Sequence, residues 1–164
     1  MLLHPGRGLF GSALSANSWV LDVALPAEPT RSGPPLVWPR EGQKDVVGSA
    51  RVGDLGPRAI AALAVEGKQP DDVVGMPITL HFARSIPAAT LALVKCTLFA
   101  GSMKKGGVLV SYETEPPAPD GAAGCVAFVP FEPLASGPME VLWQLPAPLS
   151  AKDEVAPGAH FTVK

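Results

Sequence analysis

The sequence predicts an all-β sandwich with one short helix, and three observations carry that prediction. Residues 75–164 form short runs in which apolar residues alternate with smaller or polar ones, the period of a half-buried strand. Those runs are punctuated by proline and glycine, of which the chain has 19 and 17 among its 164 residues. Hydrophobic residues make up 47% of the chain, enough to build a core and too many for a disordered segment. The length suits one sandwich with an N-terminal extension better than two full domains.

The elements follow in order. A glycine-rich start leads to Trp19, Leu21 and Val23, which alternate with Ser18, Val20 and Asp22 and read as one strand. Five prolines fall within residues 26–39, so this stretch is neither helix nor central strand and reads as an extended linker. A boundary near residues 30–35 follows, with an N-terminal extension at 1–35 and the sandwich at 36–164. Residues 36–46 read as an edge strand interrupted by Pro39. Residues 56–67 begin Gly-Pro, continue rich in alanine and end in glycine, which are helix start and stop signals.

The remaining runs are strands. Ile78, Leu80 and Phe82 share one face of the first, with Thr79 and His81 opposite and toward solvent; Val94, Cys96 and Leu98 share a face of the second. Val108, Val110 and Tyr112 do so in the third, while residues 125–131 are apolar on both faces, as suits a strand in the middle of a sandwich. Met139, Val141, Trp143 and Leu145 align in the fifth, and Phe161 and Val163 in the last. With the 36–46 edge, these make about seven strands, the number expected of an immunoglobulin-like β-sandwich. No fixed-period repeat is visible, which argues against a propeller or solenoid.

Charge and cysteine usage narrow the function classes. The 13 basic and 15 acidic residues nearly cancel and are scattered, so the footprint of a nucleic-acid binder or a polybasic membrane anchor is missing. Lys104-Lys105, set among glycines, reads as a solvated hairpin tip. Cys96 and Cys125 each lie in a strand-like run and not in a C-x-x-C motif. They are either buried thiols or one cross-strand disulfide, which would close a loop of about 30 residues and add roughly 3–4 kcal/mol. No stretch approaches the roughly 18 uninterrupted apolar residues of a membrane helix, and the N-terminal residues make a poor signal peptide.

Several motifs match a functional pattern only in part. Gly6-Arg7-Gly8-Leu9-Phe10-Gly11 spells G-x-G-x-x-G, yet a dinucleotide site needs a strand before it and a helix after it, and the sequence supplies neither. His4, His81 and His160 are far apart, and none has a second histidine or a carboxylate at metal-ligand spacing. Ser12, Ser49 and Ser102 lack the glycines of a nucleophile elbow. Asp71-Asp72 and Asp153-Glu154 sit in polar, loop-like sequence. No catalytic, cofactor-binding or metal-ligating residue is therefore assigned, and no cofactor is expected. Among the aromatics, Trp143 shares a face with Val141 and Leu145 and is expected in the core. Trp38 and Tyr112 are the candidates for a binding surface.

Two parts of the chain resemble known bacterial families. Within residues 36–46, Pro39, Gly42 and Asp45-Val46 resemble the opening of bacterial Ig-like (Big-type) domains, and Gly75, Pro77-Ile78-Thr79-Leu80 and Phe82 resemble a strand of theirs. Pro130, Pro133-Leu134 and Gly137 resemble their turn, and Phe161-Thr162 their closing strand; Met139 stands where that pattern has tyrosine. Leu2-Leu3, Pro5 and the glycines to Gly11, followed by Trp19-Val20-Leu21-Asp22, are similar to the end of CAP (SCP-like) extracellular domains. The resemblance implies a non-catalytic accessory, adhesion or spacer module of an exported bacterial CAP/SCP-like protein, secreted or at the cell surface. Its partner would be a protein or a cell-surface polysaccharide. The alternative is a carbohydrate-binding sandwich using Trp38 or Tyr112. An enzymatic rival, a small hydrolase assembled from loop Ser, His and Asp residues, needs two such side chains within hydrogen-bond reach.

Overall fold

The computed structural model describes residues 10–15, 18–23, 34–112, 123–147, 149 and 156–164. His4, Gly6, Gly8, the linker up to residue 33 and Asp153-Glu154 lie outside the described residues. Strand β1 (Phe10–Ser15) pairs antiparallel with β2 (Ser18–Val23), from Phe10↔Val23 to Ser15↔Ser18. The predicted strand is thus β2, and Gly11, the last glycine of the G-x-G-x-x-G string, belongs to a strand and not to a helix-opening turn.

Two sheets make the body of the fold. One has the order β10 (Gly107–Tyr112), β11 (Ala123–Pro130), β7 (Ile78–Ile86), β3 (Leu36–Trp38). The other runs β4 (Gln43–Val46), β13 (Gly158–Val163), β12 (Gly137–Gln144), β8 (Lys95–Ala100), β9 (Met103–Lys105). In immunoglobulin lettering these are D-E-B-A and A′-G-F-C-C′, so the predicted all-β immunoglobulin-like sandwich is the fold.

The two main sheets hold more strands than the expected seven because the 36–46 edge divides. Its first half, β3, pairs antiparallel with β7; the chain then crosses at a cis Trp38–Pro39 bond, and β4 pairs parallel with β13. Met103–Lys105 adds a further strand: the lysine pair is not a hairpin tip but the edge strand β9. The turn itself is at Gly101, whose φ of 59° suits a residue without a Cβ.

Alternation places the core. Ile78, Leu80, Phe82 and Ile86 of β7 and Val126 and Phe128 of β11 meet Leu98 of β8, Met139, Val141 and Trp143 of β12, and Phe161 and Val163 of β13. Trp143 is fully buried, as expected, but its indole N–H finds no hydrogen-bond acceptor among the described residues. A buried donor left unpaired costs about 1–3 kcal/mol, so packing of the ring must outweigh that loss.

The chain between β4 and β7 forms a separate layer. It runs through β5 (Ser49–Arg51), a 3-10 turn (Val52–Asp54), α1 (Pro57–Val65) and β6 (Val73–Gly75), with β5 and β6 paired antiparallel. Helix α1 forms where predicted. Pro57 takes the first turn, where its missing N–H is no loss, and the C-terminus closes with Lys68 N–H on Leu63 O and Gly67 N–H on Ala64 O, with Gly67 at φ 81°. Ala59 and Leu63, one turn apart, pack with Val110, Ala127 and Val129 on the outer face of the four-stranded sheet. That cover is why β11 is apolar on both faces. A second, four-residue helix, α2 (Ala88–Leu91), joins β7 to β8 and buries Leu91; no residue pattern announced it.

The added layer is tied to the sandwich where backbone approaches backbone. Gly48 O accepts from Leu134 N–H at 2.8 Å. A Cβ at Gly75 would lie 2.6 Å from the Pro130 ring and 2.9 Å from Glu132 O. On β4, one extra residue opposes β13 between the pairs Phe161↔Gln43 and Val163↔Val46, and Asp45 there holds φ 57°.

Three stability outcomes follow, each read from urea unfolding. Gly75→Ala should destabilise by about 1–3 kcal/mol, the usual range for overpacking a tight contact. Asp45→Gly should leave stability unchanged or raise it, whereas Asp45→Val should lower it by about 1–3 kcal/mol, because glycine is free at positive φ, aspartate tolerates it and a β-branched residue is strained there. Trp143→Ala should cost about 3–5 kcal/mol, but Trp143→Phe at most about 1–2 kcal/mol, since the lost ring volume is offset by removing the unpaired N–H.

Candidate functional site

The outer face of the five-stranded sheet is built by the same alternation that fills the core. Because Ala159, Phe161 and Val163 point inward, His160 and Thr162 point out; because Met139, Val141 and Trp143 point inward, Glu140, Leu142 and Gln144 point out. The registers Lys104↔Phe99, Phe99↔Glu140 and Glu140↔His160 then align one row across four strands. Glu41, just before β4, extends it. Its carboxylate accepts a 2.7 Å hydrogen bond from the His160 backbone N–H and lies 3.4 Å from His160 Nδ1, while Glu140 lies 3.5 Å from Nε2.

This row is a mixed charged and aromatic surface. The two carboxylates flank opposite nitrogens of the imidazole, so they hold it in place and do not converge on a common point. Among the described residues, no group of three or more His, Cys, Asp or Glu side chains has the arrangement to hold a metal ion. The bond from the His160 backbone N–H holds the Glu41 carboxyl below its ordinary value, residual desolvation opposes this, and the imidazole adds to the lowering.

A second cluster lies on the outer face of the four-stranded sheet, where β3, β7 and β11 bring Trp38, Thr79, His81 and Cys125 side by side. Trp38 registers with Thr79 and Cys125 with His81. His81 Nε2 is 2.8 Å from Thr79 Oγ1 and 3.9 Å from Cys125 Sγ. His81 is on the predicted side of its strand but half-buried there, and burial lowers its pKa. Burial also pushes the Cys125 thiol up to about 12. Both shifts favour the neutral pair, the reverse of the thiolate and imidazolium that a nucleophilic cysteine requires.

The cysteines are both free thiols, and the geometry says why. Cys96 packs against the sandwich core from β8, while Cys125 sits on the outward face of the other sheet. The Cys96 thiol is likewise pushed up to about 12 by burial. The remaining sequence candidates stay apart. Asp71 pairs with Arg51 at 2.9 Å, and Asp72 accepts the Gln69 backbone N–H at 2.7 Å, closing a turn. Ser49 is in β5 and Ser102 in the exposed turn before β9. Tyr112 ends β10, and its side chain lies outside the described residues. A hollow of about 240 Å³ opens between β9 and the end of β11, lined by Met103, Lys104, Lys105, Phe131 and Glu132 among others.

No protein family's sequence profile matches this chain, and no curated protein does. Among solved structures, the chain is similar to PcoC, a methionine-rich copper resistance protein from Escherichia coli. The identity is 18%, the TM-score 0.40, and the match covers 56% of this chain and 83% of that one. No helix among the described residues is long and apolar enough to cross a membrane.

The row of Glu41, Phe99, Glu140 and His160 was not singled out by sequence. Phe99, Glu140 and His160 occupy outward positions that strand periodicity identifies, but their meeting with one another and with Glu41, which lies in the turn before β4, depends on strand register, which one sequence does not reveal.

Two measurements check these assignments. A thiol reagent at pH 8 should leave both cysteines unmodified in the folded protein and modify two on denaturation, with the same count with and without reductant. For Glu41, a depressed acid contributes stability that is present above its ordinary value of 4.5 and lost as pH falls through the folded value. The urea midpoint of Glu41→Gln should therefore fall below wild type at pH 7, and the difference should shrink as pH drops below 4.5.

Proposed function

We propose that this chain is a non-catalytic accessory module of an exported bacterial CAP/SCP-like protein, with residues 36–164 as a Big-type Ig-like domain that contacts a protein or polysaccharide at the cell surface. The observation that carries this reading is the outer face of the five-stranded sheet, which no described helix covers. It presents Phe99, Glu140, His160 and Lys104 in one row, over a core that holds the strands rigid. Such a mixture of aromatic and paired charged groups suits recognition: charges at a rim give specificity and orientation more than affinity. Glu41, Glu140, His160, Asp71 and Asp72 each hold backbone or a neighbouring charged side chain. Residues 1–35 are read as the closing piece of a CAP domain with its proline-rich linker.

The carbohydrate-binding reading has one observation in its favour. Leu36 and Trp38 alternate onto the outer face of the edge strand β3, and Leu36 is 50% exposed beside the half-buried Trp38. A stacked sugar would need the indole face, so Trp38→Ala tests it.

The experiment is a pull-down on envelope proteins and on purified cell-surface polysaccharides, comparing wild type with Trp38→Ala and with the double variant Phe99→Ala/Glu140→Lys. The accessory-module reading expects binding to fall at least tenfold in the double variant and to persist in Trp38→Ala. The opposite pattern supports the carbohydrate site, and binding unchanged in both removes both surfaces. The coding sequence upstream is expected to carry a CAP core.

A further inference from the structure

A sheet edge exposes a row of unpaired backbone groups, and proteins blunt such edges with short strands, prolines, bulges or charges. Three edges of this sandwich carry such devices. β3 is three residues long and stops at Pro39; β4 is charged at Lys44 and Asp45 and broken by an extra residue; β9 is three residues long and two of them are lysine. The fourth, β10, has none of these. Its six residues, Gly107–Tyr112, contain no charge and no proline, and they pair with β11 in unbroken register from Gly107↔Pro130 to Tyr112↔Cys125. Among the described residues, no strand lies on its other side.

The direction of the free groups can be read from one hydrogen bond. Phe131 N–H donates to Gly106 O at 3.0 Å, so Gly106 faces the β11 side. Alternation then turns the backbone groups of Val108, Val110 and Tyr112 toward β11 and those of Gly107, Leu109 and Ser111 outward. Leu109, at the centre, is 39% exposed although its partner Phe128 is buried.

We propose that two copies of this chain pair antiparallel along β10, about a two-fold axis at Leu109, joining the two four-stranded sheets into one. That register sets Leu109 against Leu109 of the second copy, covering the exposed leucine twice. It also sets Ser111 against Gly107 of the second copy. The Ser111 hydroxyl accepts a 2.7 Å hydrogen bond from Arg58 Nη1, and the facing glycine leaves that arginine its room. A second copy is the occupant because the edge is self-complementary: a C2 pairing needs a patch that tolerates itself, and an uncharged strand has no like charges to oppose. A foreign extended peptide would gain its specificity from pockets for alternate side chains, and on the face of Leu109 this strand offers only that side chain between Gly107 and Ser111.

The test is sedimentation velocity with light scattering over a wide range of concentration. Wild type should pass from monomer to dimer mass as concentration rises, and Leu109→Lys should remain a monomer at the highest concentration. Leu142→Lys, which alters an exposed leucine of the other sheet, should dimerise as wild type does. Leu109→Pro removes an N–H that points away from β11, so it should abolish the dimer while keeping the ladder to β11. Hydrogen exchange of the wild-type protein supplies a readout that needs no variant: the Leu109 and Ser111 amides should slow at least tenfold between dilute and concentrated samples, while those of Val108 and Val110 should not change. A wild type that stays monomeric, a dimer that survives both Leu109 substitutions, or amide protection independent of concentration would each overturn the proposal.

Discussion

The architecture depends on one strand that must be covered on both faces. β11 carries Val126 and Phe128 on one side and Ala127 and Val129 on the other, all buried. A strand of that kind is unstable at a surface, since burying each of Val126, Phe128 and Val129 is worth about 1.5–3 kcal/mol relative to leaving it in water. The five-stranded sheet covers the first side, and α1 with Val74 of β6 covers the second. The immunoglobulin sandwich and the layer inserted between its A′ and B strands answer the same requirement from opposite directions.

That double cover shapes what is left for function. With α1 on the four-stranded sheet, no described helix covers the outer face of the other sheet, which carries the charged row. The polar groups that remain under cover, His81 and Cys125, are desolvated into their neutral forms and are poor acids, bases or nucleophiles there. The described side chains with charge are at the surface, where isolated pairs are worth about 0–1 kcal/mol. Among the described residues, the charged row and the β10 edge are separate places on the molecule, on different sheets.

Much of the fold was legible because it rests on local rules. The helix at Pro57–Val65 is framed by Pro57 and Gly67, whose backbone preferences are independent of tertiary context. The runs at β7, β8, β10, β11, β12 and β13 have the period of strands, and Trp143 falls among core residues because its face is otherwise apolar. What escaped were the features with no local signature. The division of residues 36–46 between two sheets depends on which neighbours Leu36–Trp38 and Gln43–Val46 find, and β9 and α2 are too short to show a period.

By itself the sequence determined which residues face inward and outward along each strand, where the helix begins and ends, and that charge is spread thinly. These follow from periodicity and from the backbone limits of proline and glycine, and they act within a few residues. The tertiary structure decided register and partner. It placed Glu41 on His160, set Cys96 and Cys125 on different layers so that they stay thiols, and left β10 at an edge among the described strands. Those outcomes depend on contacts between residues tens of positions apart, and only the closing of two sheets over a shared core fixes them.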